Sequence, residues 1–140
     1  MKKPVIAGNS ITIPSDAEYL TDVDDFVEGI LRGWGIDEST LADIAISVSE
    51  LVNNAINHGN KLDDNKHVFL TISREENTVC IAVKDQGAGF DPTRVANPLA
   101  EENLLLDAGR GIFIVNTLMD KVDVDATNGG TTITITKSFK

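Results

Sequence analysis

Glu50 and Asn54 stand four residues apart in the stretch ELVNNAINHGN, residues 50 to 60. On a helix that spacing is one turn, so a carboxylate and an amide oxygen would point into the same space. A carboxylate within hydrogen-bond reach of a hydroxyl can take its proton. An amide oxygen is a hard, neutral donor of the kind Mg²⁺ accepts beside phosphate oxygens and water. The pair therefore fits phosphoryl transfer. The same spacing also describes the solvated side of an amphipathic helix. Asn53, Asn57 and His58 share the stripe with Glu50, while Leu41, Ile44, Ala45, Val48, Leu51, Val52, Ala55 and Ile56 fall opposite. Three asparagines cost a helix about 0.5 kcal/mol each relative to alanine, which an ordinary solvated face avoids with Lys, Glu or Gln. His58 has no Cys or His at ligand spacing, so it reads as a capping or packing residue rather than a metal ligand.

Two glycine-punctuated stretches follow. In DQGAGFDP, Gly87 and Gly89 permit positive φ and close approach of backbone to a ligand. Asp85, at the end of a strand-like run, can accept a hydrogen bond from an exocyclic amine, which adenine carries at position 6 and guanine does not. A tight turn after a strand would use the same residues. In AGRGIFIVNTLMD, Gly109 and Gly111 come just ahead of an apolar helix from Arg110 to Met119. A helix N-terminus opened by glycine suits an anion, and Arg110 adds a fork of donors for phosphate. Plain helix capping with a surface arginine fits as well. No GxxxxGK[ST] loop or Rossmann fingerprint occurs. Thr131 and Thr132 carry hydroxyls that could meet a phosphate or adenine, or could simply be strand formers in a hairpin.

The elements that must position these residues are legible from periodicity. Residues 5–13 read as a strand, and Ser15 with Glu18 as a capping box. Residues 16–34 read as an amphipathic helix, and Asp37 to His58, closed by Gly59, as a second. Residues 67–73 and 78–85 form a hairpin pattern, and VDVDAT and TTITITKSF flank the turn signal NGG at 128–130. Strands and helices do not alternate regularly enough for a doubly wound parallel sheet. The expectation is an α/β two-layer sandwich, with a mixed or largely antiparallel sheet and about three helices on one face.

Composition narrows the function classes. A chain of 140 residues suggests one domain, residues 1–140. Twelve basic against 22 acidic residues give a net charge of −10, which disfavours direct nucleic-acid and anionic-membrane binding and permits a basic protein partner. The single cysteine, Cys80, excludes a disulfide framework within one chain and reads as a buried thiol. The N-terminal stretch lacks a secretory apolar core and no run is long enough to span a membrane, so a cytoplasmic location is expected.

In series, E-x-x-x-N-A-x-x-H-G, D-x-G-x-G-F, G-R-G before an apolar helix, and G-T-T are specific. The chain resembles the GHKL superfamily of histidine-kinase-like ATPase domains, and within it the anti-sigma factor serine/threonine protein kinases. The resemblance implies the Bergerat-type sandwich, with ATP and Mg²⁺ as cofactors. It implies Glu50 as general base, Asn54 as Mg²⁺ ligand and Asp85 as the adenine-reading carboxylate. Gly87 and Gly89 would shape the pocket, Gly109, Arg110 and Gly111 would lie at the phosphates, and Thr132 would close the adenine side. Residues 92–109 fall where that superfamily keeps an ATP lid. The implied activity is transfer of the γ-phosphoryl group to a serine or threonine of a STAS-type anti-anti-sigma protein. A sigma factor would be a second partner, and a homodimer the assembly. The alternative is a non-catalytic ATP-binding switch that sequesters a regulatory protein.

Overall fold

In a computed structural model, residues 3–60, 65–87, 106–127 and 130–139 are described, except for the side chains of 58, 59, 106–111, 126 and 127. Six strands form one sheet in the order β1-β2-β3-β4-β6-β5, and every pairing is antiparallel. They are β1 (Val5–Ala7), β2 (Ser10–Pro14), β3 (His67–Glu75), β4 (Thr78–Lys84), β5 (Lys121–Thr127) and β6 (Gly130–Ser138). Three α-helices cover one face: α1 (Leu20–Gly33), α2 (Glu38–Asn54) and α3 (Leu106–Leu118). The expected two-layer sandwich is present, and its sheet is wholly antiparallel among the described strands.

Alternation along the strands builds the core. Ile11, Ile13, Val68, Leu70, Ile72, Val79, Ile81, Val83 and Ile135 point to the helices and are buried with Val23, Val27 and Leu31 of α1 and Ile44, Val48, Leu51 and Val52 of α2. The intervening residues, among them Thr71, Ala82 and Thr134, form the other face. Cys80 belongs to that set, opposite Ser73 and Thr136, and is only half-buried. The expectation of a buried thiol is corrected by the phase of the strand: Val79 and Ile81 take the core positions.

Three boundaries differ from the sequence reading, each for a local reason. The single strand expected over residues 5–13 is a hairpin, because Gly8 at φ +59 with Asn9 makes a two-residue turn between Ala7 and Ser10. The first helix is capped by Asp16, whose side chain accepts the Glu18 N–H at 3.0 Å, after which a 3₁₀ turn, Ala17–Tyr19, leads into α1. Ser15 is buried instead. Helix α1 ends with Gly35 at φ +74 and the Ile36 N–H bonded to the Leu31 carbonyl at 3.1 Å, a Schellman closure.

Lys137 of β6 ties the helix layer to the sheet. Lys137 Nζ donates to the last-turn carbonyl of Leu118 at 2.6 Å and lies 3.7 Å from the Asp43 carboxylate. Its positive charge faces the negative end of α3.

Candidate functional site

Helix α2 carries Glu50 and Asn54 on the flank where its buried stripe meets solvent, and both side chains are half-buried. Asn54 lies about 40° around the helix from Glu50, on the side of the fully buried Ser47 and Leu51. Asn54 Nδ2 is buried without a hydrogen-bond partner among the described residues, as is Ser47 Oγ. A buried amide donor left unmatched costs about 1–3 kcal/mol. Turning the amide would bring its oxygen to the same place. In one orientation it suits a phosphate oxygen or water, in the other a cation. Asn53 and Asn57 behave differently: Asn57 Nδ2 donates to Asn53 Oδ1 at 2.9 Å, so these two satisfy one another.

The expected helix to His58 stops being α-helical at Asn54. Ala55–Gly59 form a π turn, closed by the Asn60 N–H on the Ala55 carbonyl at 2.7 Å. A π turn inserts one extra residue, which redirects the side chain that follows, and such turns gather at functional sites. Here it delivers Asn60 into the interior, 1% exposed. Asn60 Nδ2 donates to the His67 carbonyl at 2.9 Å and to Ser15 Oγ, and Asn60 Oδ1 accepts the Gln86 N–H at 2.7 Å. Gln86 Oε1 in turn accepts the His67 N–H at 2.6 Å.

Asp85 follows β4 and is 6% exposed. Its Oδ1 accepts two backbone N–H groups, from Gly87 at 2.9 Å and from Thr131 at 3.1 Å, while its own N–H donates to the Thr131 carbonyl at 3.0 Å. With one oxygen held twice, the plane of the carboxylate is fixed. Gly130 makes this possible: a Cβ there would stand 2.0 Å from the Asp85 carbonyl oxygen. The register puts Thr132 opposite Lys84 and Asp125, on the face away from the helices. Thr131, one residue earlier, is the threonine beside Asp85. The sequence choice of Thr132 over Thr131 is therefore corrected by strand alternation.

Helix α3 begins at Leu106, not at Arg110. Gly109, Arg110 and Gly111 thus occupy its first two turns, and of their N–H groups only that of Gly109 belongs to the first four, which lack an intrahelical acceptor. The Arg110 side chain, Gly89 and residues 92–105 of the expected lid lie outside the described residues. Among the described residues no three His, Cys, Asp or Glu side chains gather as a metal cluster. A divalent ion beside Asn54 would accordingly draw most of its ligands from phosphates and water, which is how Mg²⁺ usually binds.

Sequence reasoning passed over Asn60, Gln86 and Gly130. One signal was available for Gly130. The β5–β6 register joins Thr127 to Gly130, so the turn needs only residues 128 and 129. The third residue of NGG has to be glycine for another reason, which is its approach to Asp85.

A helical layer on one face of an antiparallel sheet, with a fixed carboxylate after β4 and a Glu/Asn pair on α2, is the arrangement of the histidine-kinase-like class of fold. The model of the histidine kinase-like ATPase domain family matches residues 13–137, and the chain belongs to that family. It is homologous to the serine-protein kinase RsbW of Staphylococcus aureus, at 30% identity over 135 residues, covering 91% of this chain and 84% of the relative. Among solved structures, the RsbU and RsbW domains of Rv1364c from Mycobacterium tuberculosis superimpose with a TM-score of 0.70 at 22% identity. The match covers 98% of this chain but only 32% of that longer one. The SiaB-SiaC complex from Pseudomonas aeruginosa matches with a TM-score of 0.61 at 11% identity, over 97% of this chain and 91% of that one. No described helix is long and apolar enough to cross a membrane.

Proposed function

We propose that the chain is a single ATP-binding unit that transfers the γ-phosphoryl group of ATP to a serine or threonine hydroxyl on a STAS-type partner. The observation that carries the reading is the twice-held Asp85 carboxylate, in a chain that is homologous to a serine-protein kinase and carries Glu50 and Asn54 one turn apart on α2. Asp85 accepts the exocyclic amine of adenine, with Gly87, Gly89, Gly130 and Thr131 closing around the base. Gly109, Arg110 and Gly111 lie toward the phosphates. Asn54 would hold Mg²⁺, which when bound offsets the negative charge of the phosphates.

Glu50 acts as the base. Its carboxylate takes the proton of the acceptor hydroxyl as that oxygen bonds to the γ-phosphorus. The bond from phosphorus to the β–γ bridging oxygen breaks, and ADP leaves with the bond's electron pair. The half-buried setting of Glu50 keeps it open to an incoming hydroxyl while limiting competition from bulk water. A sigma factor as a second partner and a homodimer as the working assembly complete the proposal, as does action in the cytoplasm on transcription.

Incubation with γ-labelled ATP and a STAS protein tests this directly. Wild type labels the partner, while Glu50→Gln binds nucleotide with similar affinity and loses labelling by about 10²–10⁴-fold. If wild type binds ATP and labels no STAS protein, the chain is a nucleotide-dependent binding switch instead.

A further inference from the structure

We infer that Asn60 is a positioning residue that sets base specificity by orienting Asp85 through the Gln86 peptide. The inference rests on the reading of Asp85 as the adenine acceptor and extends it to a residue with no expected contact with nucleotide.

Three hydrogen bonds close a ring. Asn60 Nδ2 donates to the His67 carbonyl, the His67 N–H donates to Gln86 Oε1, and the Gln86 N–H donates to Asn60 Oδ1, at 2.9, 2.6 and 2.7 Å. The Asn60 amide can sit only one way round. His67 offers a carbonyl that must receive a donor, and Gln86 offers an N–H that must receive an acceptor. Its second amide hydrogen is taken by Ser15 Oγ. Both amide hydrogens and the amide oxygen of this buried side chain have partners, as a residue kept at 1% exposure requires.

The ring grips Gln86 at both its main chain and its side chain. Gln86 lies between Asp85 and Gly87, and the Gly87 N–H is one of the two donors that fix Asp85 Oδ1. Release of the Gln86 peptide therefore frees one of the two restraints on the carboxylate. The other end of Asn60 is the π turn that continues directly from Asn54. The same residue thus joins the base-reading end of the site to the helix that carries Glu50 and Asn54. A carboxylate selects an amine over a carbonyl only if its lone pair is aimed, because a buried mismatch is penalised by geometry.

The test compares binding of Mg·ATP with Mg·ITP, whose base carries a carbonyl where adenine has its amine. Calorimetric titrations use wild type, Asn60→Ala, Gln86→Ala and Asp85→Asn, at a temperature where circular dichroism reports each as folded. Asn60→Ala should lower the ATP:ITP affinity ratio about tenfold, chiefly through weaker ATP binding, and Gln86→Ala about threefold. Gln86 is exposed and its truncation keeps the fold, so it decides the matter if Asn60→Ala does not fold. Stability losses with an unchanged ratio in both variants would overturn the inference and leave a structural role only. A wild type that binds ATP and ITP equally would instead refute the reading of Asp85, and this inference with it.

Discussion

Replacing Gly130 with alanine should separate two strands at the site. The added methyl carbon would stand 2.0 Å from the carbonyl oxygen of Asp85 and 3.0 Å from its carbonyl carbon. A carbon and an oxygen in contact need about 3.3 Å. The obstacle is main chain, so β6 must retreat from Asp85 by more than an ångström. The two bonds between Asp85 and Thr131, at 3.0 and 3.1 Å, would then stretch beyond useful range. One of them ends on a carboxylate, and together they contribute about 2–4 kcal/mol. Holding φ at +151 costs a residue with a side chain about 1–3 kcal/mol more. Partial relaxation leaves a loss of about 3–5 kcal/mol, or a melting temperature lower by about 10–15 °C. Gly29→Ala is the control. It lies inside α1 with nothing within 4 Å of the added carbon, so it should stabilise by about 0.5–1 kcal/mol. Differential scanning calorimetry reads both. A melting temperature for Gly130→Ala within about 3 °C of wild type would refute the close approach, and with it the fixed carboxylate.

Other expected outcomes follow from charges and caps. Hydrogen bonds from Thr40 hold the Asp37 carboxyl below its usual range, and the bond from the Ser138 N–H does the same for Asp120. Both contributions are present above about pH 4 and lost as pH falls through the lowered folded values. Asp37→Ala and Asp120→Asn should each lower the melting temperature by a few degrees at pH 7 and by little at pH 3. Burial, then Asp25 and Glu28, push the Asp24 carboxyl up, so its ionised form opposes folding at neutral pH. Asp24→Asn should raise the urea midpoint at pH 7, the gain shrinking as pH falls toward about 4. Lys137→Met keeps the apolar stem but removes the donor to Leu118, and should cost about 1 kcal/mol in urea unfolding. A double-mutant cycle with Asp43→Asn separates the share of the ion pair from that of the Leu118 bond, a coupling near zero assigning the cost to the latter.

The fold was legible where one face of an element is buried. Val23, Val27 and Leu31 declare α1, and the alternation of Val79, Ile81 and Val83 declares β4. Asp85 and the Glu50–Asn54 pair stood out in the sequence by residue type and spacing, while the roles proposed for them rest on the family resemblance. Asn60 was not. Its role depends on a π turn, which no periodicity in AINHG announces, and on partners 7, 26 and 45 residues away. Thr131 and Thr132 differ only by phase, and phase is fixed by the register between β4 and β6, not by the residues themselves. Ser15 matched a capping pattern, but Asp16 beside it could do the same work, leaving the serine to meet Asn60.

The bond between Thr131 and Asp85 spans 46 residues of sequence. Helix α3 and strand β5 both fall within that span, so a single carboxylate oxygen joins the residue after β4 to the start of β6 across the segment that supplies a helix and an outer strand.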